Sequence, residues 1–180
     1  MTYYGAKHLA DSFRTVRTNT IVLAEEIPAE KYDFTPVAGV RTVGGHLAHI
    51  VVNPRWQMEV HRNGIDFIDF PMFGQRLAQA TAEEQMLRSK DEIVAALKSE
   101  GEQFASFLAS LSEAKLAETV RFPEPVQPPE KSRLEMLLGV KEHEMHHRAQ
   151  LMLIQRLLGI VPHLTRQREA MRAAVAGGKE

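Results

Sequence analysis

Apolar residues recur at three- and four-residue spacing along most of the chain, and no alternating Val/Ile/Thr runs are framed by hairpin turns. That pattern is one of helices rather than strands. A first helix is predicted over Ala6–Glu26, with Leu9, Phe13, Val16 and Ile21 or Leu23 in phase and Pro28 beyond its end. The connector IPAEKYDFTPVAGVR leads to Thr42, a candidate N-cap for a second helix over Val43–Arg62. Pro54 lies inside that pattern, where it should kink the helix or end it early. From Asn63 to Thr81, Gly64, Pro71 and Gly74 are interspersed with Phe67, Phe70 and Phe73, which reads as a long loop pinned by its aromatic rings. Ser89 with Glu92 and Ser132 with Glu135 are capping boxes. They open a third helix, Lys90–Leu111, and the longest one, Arg133–Leu158, which Gly159 and Pro162 end. Between these two lies the Pro-rich crossover LSEAKLAETVRFPEPVQPPE. A short helix is expected over Thr165–Ala176, followed by a disordered GGKE end.

Four long helices joined by two long connections predict an all-α four-helix bundle of the up-down-down-up type, with a short C-terminal helix. A length of 180 residues with 44% hydrophobic side chains suits one domain with its own core. The formal charge of -1 gives no basic footprint, so neither nucleic acid nor an anionic membrane surface is expected as a partner. There is no cysteine. That excludes disulfides, thiolate metal ligands and a cysteine nucleophile, and it fits a reducing cytoplasm. No apolar stretch is long enough to span a bilayer, and the N-terminal sequence lacks the apolar segment of a signal peptide.

The stretch KEHEMHHRAQ changes the picture, because three histidines fall within five residues of the longest helix. At about 100° per residue, Met136, Val140, Leu151, Ile154 and Leu158 share an arc of roughly 60°. His147 lies inside this arc and His143 at its edge, whereas His146 points elsewhere. Two histidines at i and i+4 lie one above the other and suit chelation of one ion. A hydrogen-bonded structural pair would give the same pattern, and the residues alone leave both readings open. On the second helix His49 groups with Val52, Trp56 and Val60, while His46 groups with Asn53 and Gln57. His49 is therefore the better candidate for a third ligand. His8, His61 and His163 stand alone and read as surface or loop residues. Leu134, Leu138, Met145 and Met152 form a second apolar stripe on the last helix, which a neighbouring helix or a second copy of the chain could cover.

His143, Glu144 and His147 also satisfy H-E-x-x-H, the pattern in which two histidines bind zinc and the glutamate is a general base. The context is poor. Gln150 and Leu153 stand where one protease class needs a glycine and a third histidine, and Glu169 is the one plausible downstream carboxylate for another. Glu144 is accordingly expected to be solvated or to support a ligand, not to act as a base.

The segments TVGGHLAHI and KEHEMHHRAQL, far apart on an all-helical chain of this length, resemble the DinB-like (DinB/YfiT-type) family of metal-binding four-helix bundles. The stretch IPAEKYDFTPVAGVR before the second helix and LSEAKLAETVRF before the last one resemble it as well. The sharpest motif is H-x-x-x-H-R-x-Q, here His143, His147, Arg148 and Gln150, with Ala149 where the family usually has glycine. The resemblance implies a divalent ion held by one histidine of the second helix and two of the last, which here are His49, His143 and His147. Three imidazoles suit zinc or nickel, with iron possible, and three protein ligands leave a position open. The resemblance also implies two chemistries, transfer of a low-molecular-weight thiol to a small-molecule substrate or hydrolysis of such a substrate. A non-catalytic, metal-stabilised dimeric bundle, closed by His46 or a carboxylate as fourth ligand, is the alternative. Trp56 could wall a pocket, Gln150 could hydrogen-bond a ligand imidazole, and Arg148 is expected in a structural salt bridge.

Overall fold

The computed structural model describes residues 4–177. Of the GGKE end expected to be disordered, Gly177 is instead the last residue of a helix, and residues 178–180 lie outside the described residues. Four long helices carry the fold: α1 (Ala6–Glu26), α2 (Val43–Arg62), α4 (Lys90–Ala109) and α6 (Arg133–Leu157). Between them lie α3 (Phe70–Met86), α5 (Glu113–Ala117) and two short strands, β1 (Thr119–Arg121) and β2 (Glu130–Ser132). Helix α7 (His163–Gly177) follows α6.

Two apolar clusters set the helix directions. At one end Leu23 of α1 and Ile27 just beyond it meet Leu47 and Ile50 of α2, Ile93 and Leu97 of α4, and Leu151 and Ile154 of α6. At the other end Leu9 and Phe13 of α1 meet Phe104 and Leu108 of α4 and Leu137 and Val140 of α6, with Met58 of α2 packed alongside. Helices α1 and α6 therefore run one way and α2 and α4 the other, which is the up-down-down-up order. Helix α1 packs on α4 and α6, and α2 packs on the same pair. Each fully buried Leu, Ile or Phe contributes about 1.5–3 kcal/mol to this core.

The helix starts follow the side chains that cap them. Thr42 Oγ1 accepts from the Gly45 amide at 3.0 Å. Both capping boxes form, Ser89 with Glu92 and Ser132 with Glu135. Among the second-stripe residues, Leu134 and Leu138 pack against one core cluster and Met152 against the other, while Met145 is exposed.

One expectation is narrowed and another fails. Pro54 does not end α2, which continues to Arg62. The Ile50 carbonyl, which the proline nitrogen cannot serve, instead lies 3.4 Å from Nη2 of Arg17. The stretch read as a loop over Asn63–Thr81 contains most of α3. Asp69 caps it, its Oδ1 accepting from the Met72 amide at 2.8 Å. Pro71 lies in the first turn, where its missing N–H costs no internal hydrogen bond. The run RLAQATAEEQM that follows is made of good helix formers, which carry the helix through Gly74.

The crossover before α6 is also more ordered than its prolines suggest. Strands β1 and β2 pair antiparallel, Val120 opposite Lys131. The segment before α3 adds to them through Ile68 N to Arg121 O at 3.0 Å and Arg121 N to Asp66 O at 2.8 Å. This small sheet places the crossover beside the site. Among the described residues no helix is long and apolar enough to cross a membrane.

Candidate metal centre

His49 comes from α2 and His143 and His147 from successive turns of α6, the two helices lying side by side and antiparallel. The Nε2 atom of His143 is 3.1 Å from that of His49 and 3.2 Å from that of His147. The three residues form a group that could hold a metal ion.

The other ring nitrogens decide what the three Nε2 atoms can do. His49 Nδ1 is 2.6 Å from Glu84 Oε1, and a carboxylate there accepts, so the ring proton sits on Nδ1. His147 Nδ1 is 3.2 Å from Gln150 Oε1, which likewise accepts. In their neutral forms both rings then present a bare lone pair on Nε2. A proton on His143 Nε2 could satisfy only one of these neighbours well, and His143 Nδ1 is buried with no partner. A cation resolves the crowding. Nitrogens bound at 2.0–2.1 Å to a four-coordinate ion would lie about 3.3–3.4 Å apart, close to the two distances from His143 Nε2.

Electrostatics favour the neutral, ligating form. Burial, with His49, His146 and Arg41 nearby, lowers the pKa of His143 to about 4. Burial and the facing His143, His49 and His46 lower that of His147 to about 3. These rings are free bases at neutral pH, as metal ligation requires.

Glu84 reaches the site because α3 is tied down beside it. Arg55 of α2 makes a two-pronged contact with Glu100 of α4, both at 2.6 Å, and holds Glu83 at 3.0 Å. Arg76 joins Glu83 at 3.0 Å to the Val52 carbonyl at 3.2 Å. With Glu83 held by two arginines, its neighbour Glu84 faces His49, and Arg41 completes Glu84's hydrogen bonding. A carboxylate behind a ligand imidazole orients the ring and raises its basicity.

Gln150 links the histidines outside the cluster. Its Oε1 accepts from His46 Nε2 at 3.0 Å as well as from His147, and its Nε2 donates to His146 Nε2 at 3.1 Å. His46 is thus buried, its Nε2 bonded to Gln150 and its Nδ1 3.1 Å from the Thr42 carbonyl, and it does not join the cluster.

Several residues sit otherwise than their sequence positions suggest. Glu144 is neither solvated nor a support for a ligand. It is buried against Arg17, with Nη2 to Oε2 at 2.9 Å, so H-E-x-x-H forms no protease constellation here. Arg17 also donates to the Leu97 carbonyl at 3.1 Å. Gly101 makes room for it, since a Cβ there would lie 2.7 Å from Arg17 Cγ. His61 and His163 are buried, not superficial. His61 Nδ1 accepts from Arg133 Nη1 at 3.0 Å, and His163 Nε2 is 3.0 Å from Asn19 Oδ1. Arg148 makes no salt bridge to a described residue and donates to the Val16 carbonyl at 3.1 Å. Glu84 had no signal in the histidine motifs, and only the Asp69 and Pro71 helix start could have pointed to the element that carries it.

Beside the cluster is a cavity of about 440 Å³, with His143, Asn53, Trp56, Phe73 of α3 and Phe122 of the crossover in its wall. Trp56 packs on Phe73 with ring centroids 5.8 Å apart.

An up-down-down-up bundle with a three-histidine cluster between its second and last long helices defines a class of all-helical proteins with a candidate ion site. Within that class the chain belongs to the DinB superfamily, whose family model matches residues 12–151. In fold it is similar to the crystal structure of a DinB-like protein, YjoA, from Bacillus subtilis. The TM-score is 0.62 and the identity 19%, covering 84% of this chain and 91% of that one. No curated protein matches the sequence.

Proposed function

We propose that the chain is a metal-dependent enzyme in which His49, His143 and His147 hold one divalent ion. Three neutral imidazoles suit zinc or nickel, with iron as a further fit. One observation carries the reading: three Nε2 atoms converge with the Nδ1 atoms of two of their rings already committed to Glu84 and Gln150. A structural histidine cluster has no need to turn its lone pairs toward one another.

The supporting residues divide the work. Glu84 and Gln150 fix which nitrogen of His49 and His147 carries the proton. The aromatic wall formed by Trp56, Phe73 and Phe122 keeps water away from one side of the site. When bound, a divalent ion supplies Lewis acidity, which makes a thiol or water more nucleophilic at neutral pH. Transfer of a low-molecular-weight thiol to a small molecule, or hydrolysis of one, is the proposed reaction class. A non-catalytic site closed by four protein ligands is less well supported, because His46 faces Gln150 and Glu84 faces His49 from behind.

Elemental analysis of untagged protein beside His143→Ala tests the ion. Near-stoichiometric zinc, nickel or iron in the wild type, lost in the variant, is expected. No metal in either after incubation with each ion would sink the proposal. Turnover in a thiol-transfer and esterase screen, abolished by chelation, is the expected activity; bound metal that raises melting temperature without any turnover would favour the structural reading.

A further inference from the structure

The cavity beside the histidines has a chemistry of its own, and the structure assigns it to a small, neutral, aromatic molecule carrying one polar head group, which Asn53 holds next to the metal-facing His143. This names a substrate class for the proposed enzyme and rests on that reading only for its catalytic meaning.

Five observations carry the assignment. The volume, about 440 Å³, falls in the range of small-ligand pockets, roughly 300–1,000 Å³. The wall is aromatic, with Trp56, Phe70, Phe73 and Phe122 contributed by three separate segments of the chain. Flat rings of that kind favour an aromatic guest through stacked and edge-to-face contacts.

The charged groups of the wall argue against an ionic guest. Asp69 is spent on capping α3, and Glu135 caps α6. Lys131 is exposed, and Glu135 lies close enough to it to feel its charge. Lys131 and Glu135 both face solvent, where water and salt screen their charges from a guest.

The polar handle is Asn53. It sits one helical turn beyond His49 on α2 and lines the cavity together with His143. Its side-chain amide is partly buried and makes no hydrogen bond to any described residue. An amide in that state has two donors and an acceptor free for a ligand's carbonyl or hydroxyl.

Gly139 is the fifth observation. It lies in the middle of α6, where glycine is the weakest helix former short of proline, and it lines the cavity. A Cβ built there meets nothing within 4 Å, so the missing side chain leaves open space instead of relieving a clash.

The chain has a single tryptophan, so ¹⁵N-labelled protein gives one indole N–H signal, and that signal belongs to the cavity wall. Acetophenone is titrated against it, with ethylbenzene as the same shape lacking the carbonyl. Acetophenone is expected to shift the indole signal and to bind about five- to tenfold more tightly than ethylbenzene, the worth of one hydrogen bond. In Asn53→Leu that preference should close. In Gly139→Leu binding of both probes should be lost while the rest of the spectrum and the thermal melt remain those of a folded chain. An indole signal unmoved by either probe up to its solubility, or binding that survives Gly139→Leu, overturns the assignment. A preference for acetophenone that survives Asn53→Leu removes Asn53 from it. The titration is run with zinc and with chelator. Probe binding to a chain that takes up no zinc leaves the cavity standing and removes the metal reading; zinc uptake without probe binding does the reverse.

Discussion

Arg17 and Glu144 meet at the centre of the bundle, the guanidinium Nε lying 3.0 Å from both carboxylate oxygens and Nη2 2.9 Å from Oε2. Both side chains are less than 5% exposed. The pair joins α1 to α6 one residue from His143, and through the Leu97 and Ile50 carbonyls Arg17 also touches α4 and α2. Removing one partner of such a pair strands a charge without solvent. Glu144→Ala is therefore expected to lose about 3–5 kcal/mol of stability. Urea unfolding of the metal-free chain measures it, and a loss under about 1 kcal/mol would show that Arg17 is compensated elsewhere.

Glu84 should matter for the ion without being a ligand. Glu84→Ala is expected to weaken zinc binding about 10- to 100-fold, the usual effect of removing the carboxylate behind a ligand imidazole. His146→Ala, whose ring reaches only Gln150 and packs beside His147, should change affinity far less. Competition with a chromogenic chelator separates the two. Equal affinities in both variants would remove Glu84 from the site.

His61 gives the fold a pH dependence of defined sign. Burial and the adjacent Arg133 depress its pKa from 6.5 to about 4. Between those values the unfolded chain binds a proton that the folded chain refuses. The contribution is complete above pH 6.5 and is lost as pH falls toward 4, amounting to about 3 kcal/mol once both states are protonated. With chelator present throughout, His61→Gln should lose correspondingly less stability than wild type between pH 7 and pH 4. Parallel pH profiles for the two proteins would count against it.

Asp69→Ala should loosen α3 alone. Loss of an N-cap costs about 0.5–2 kcal/mol. Amide exchange would rise across Phe70–Met86 while α1 and α4 keep their protection. Uniform loss of protection would mean that α3 unfolds only with the whole chain.

How far the sequence reached depended on where the relevant information lay. The ends of α1 and α2 are local events, written in Thr42, Pro28 and the apolar repeat, and they could be read directly. The choice of His49 over His46 followed from helix periodicity, and the structure puts His49 in the cluster and His46 on Gln150. Helix α3 escaped because Gly64, Pro71 and Gly74 outweighed the quieter signal of Asp69 and the helix formers after it. Glu144 was misjudged for another reason. Its partner lies 127 positions away on another helix, and no periodicity in α6 announces a buried arginine. His61 and His163 looked isolated for the same cause, since Arg133 and Asn19 are remote in sequence.

Helix α3 is held largely by polar contacts, with Arg76 its one buried residue. Phe70 and Phe73 give it to the cavity wall and Glu84 gives it to His49. These attachments make its docking a shared variable. Anything that binds the docked state more tightly, at the histidines or in the cavity, must be bound more tightly in return when α3 is docked, and by the same factor. Two occupants that never touch would then cooperate through one helix, each felt by the other as a change in affinity.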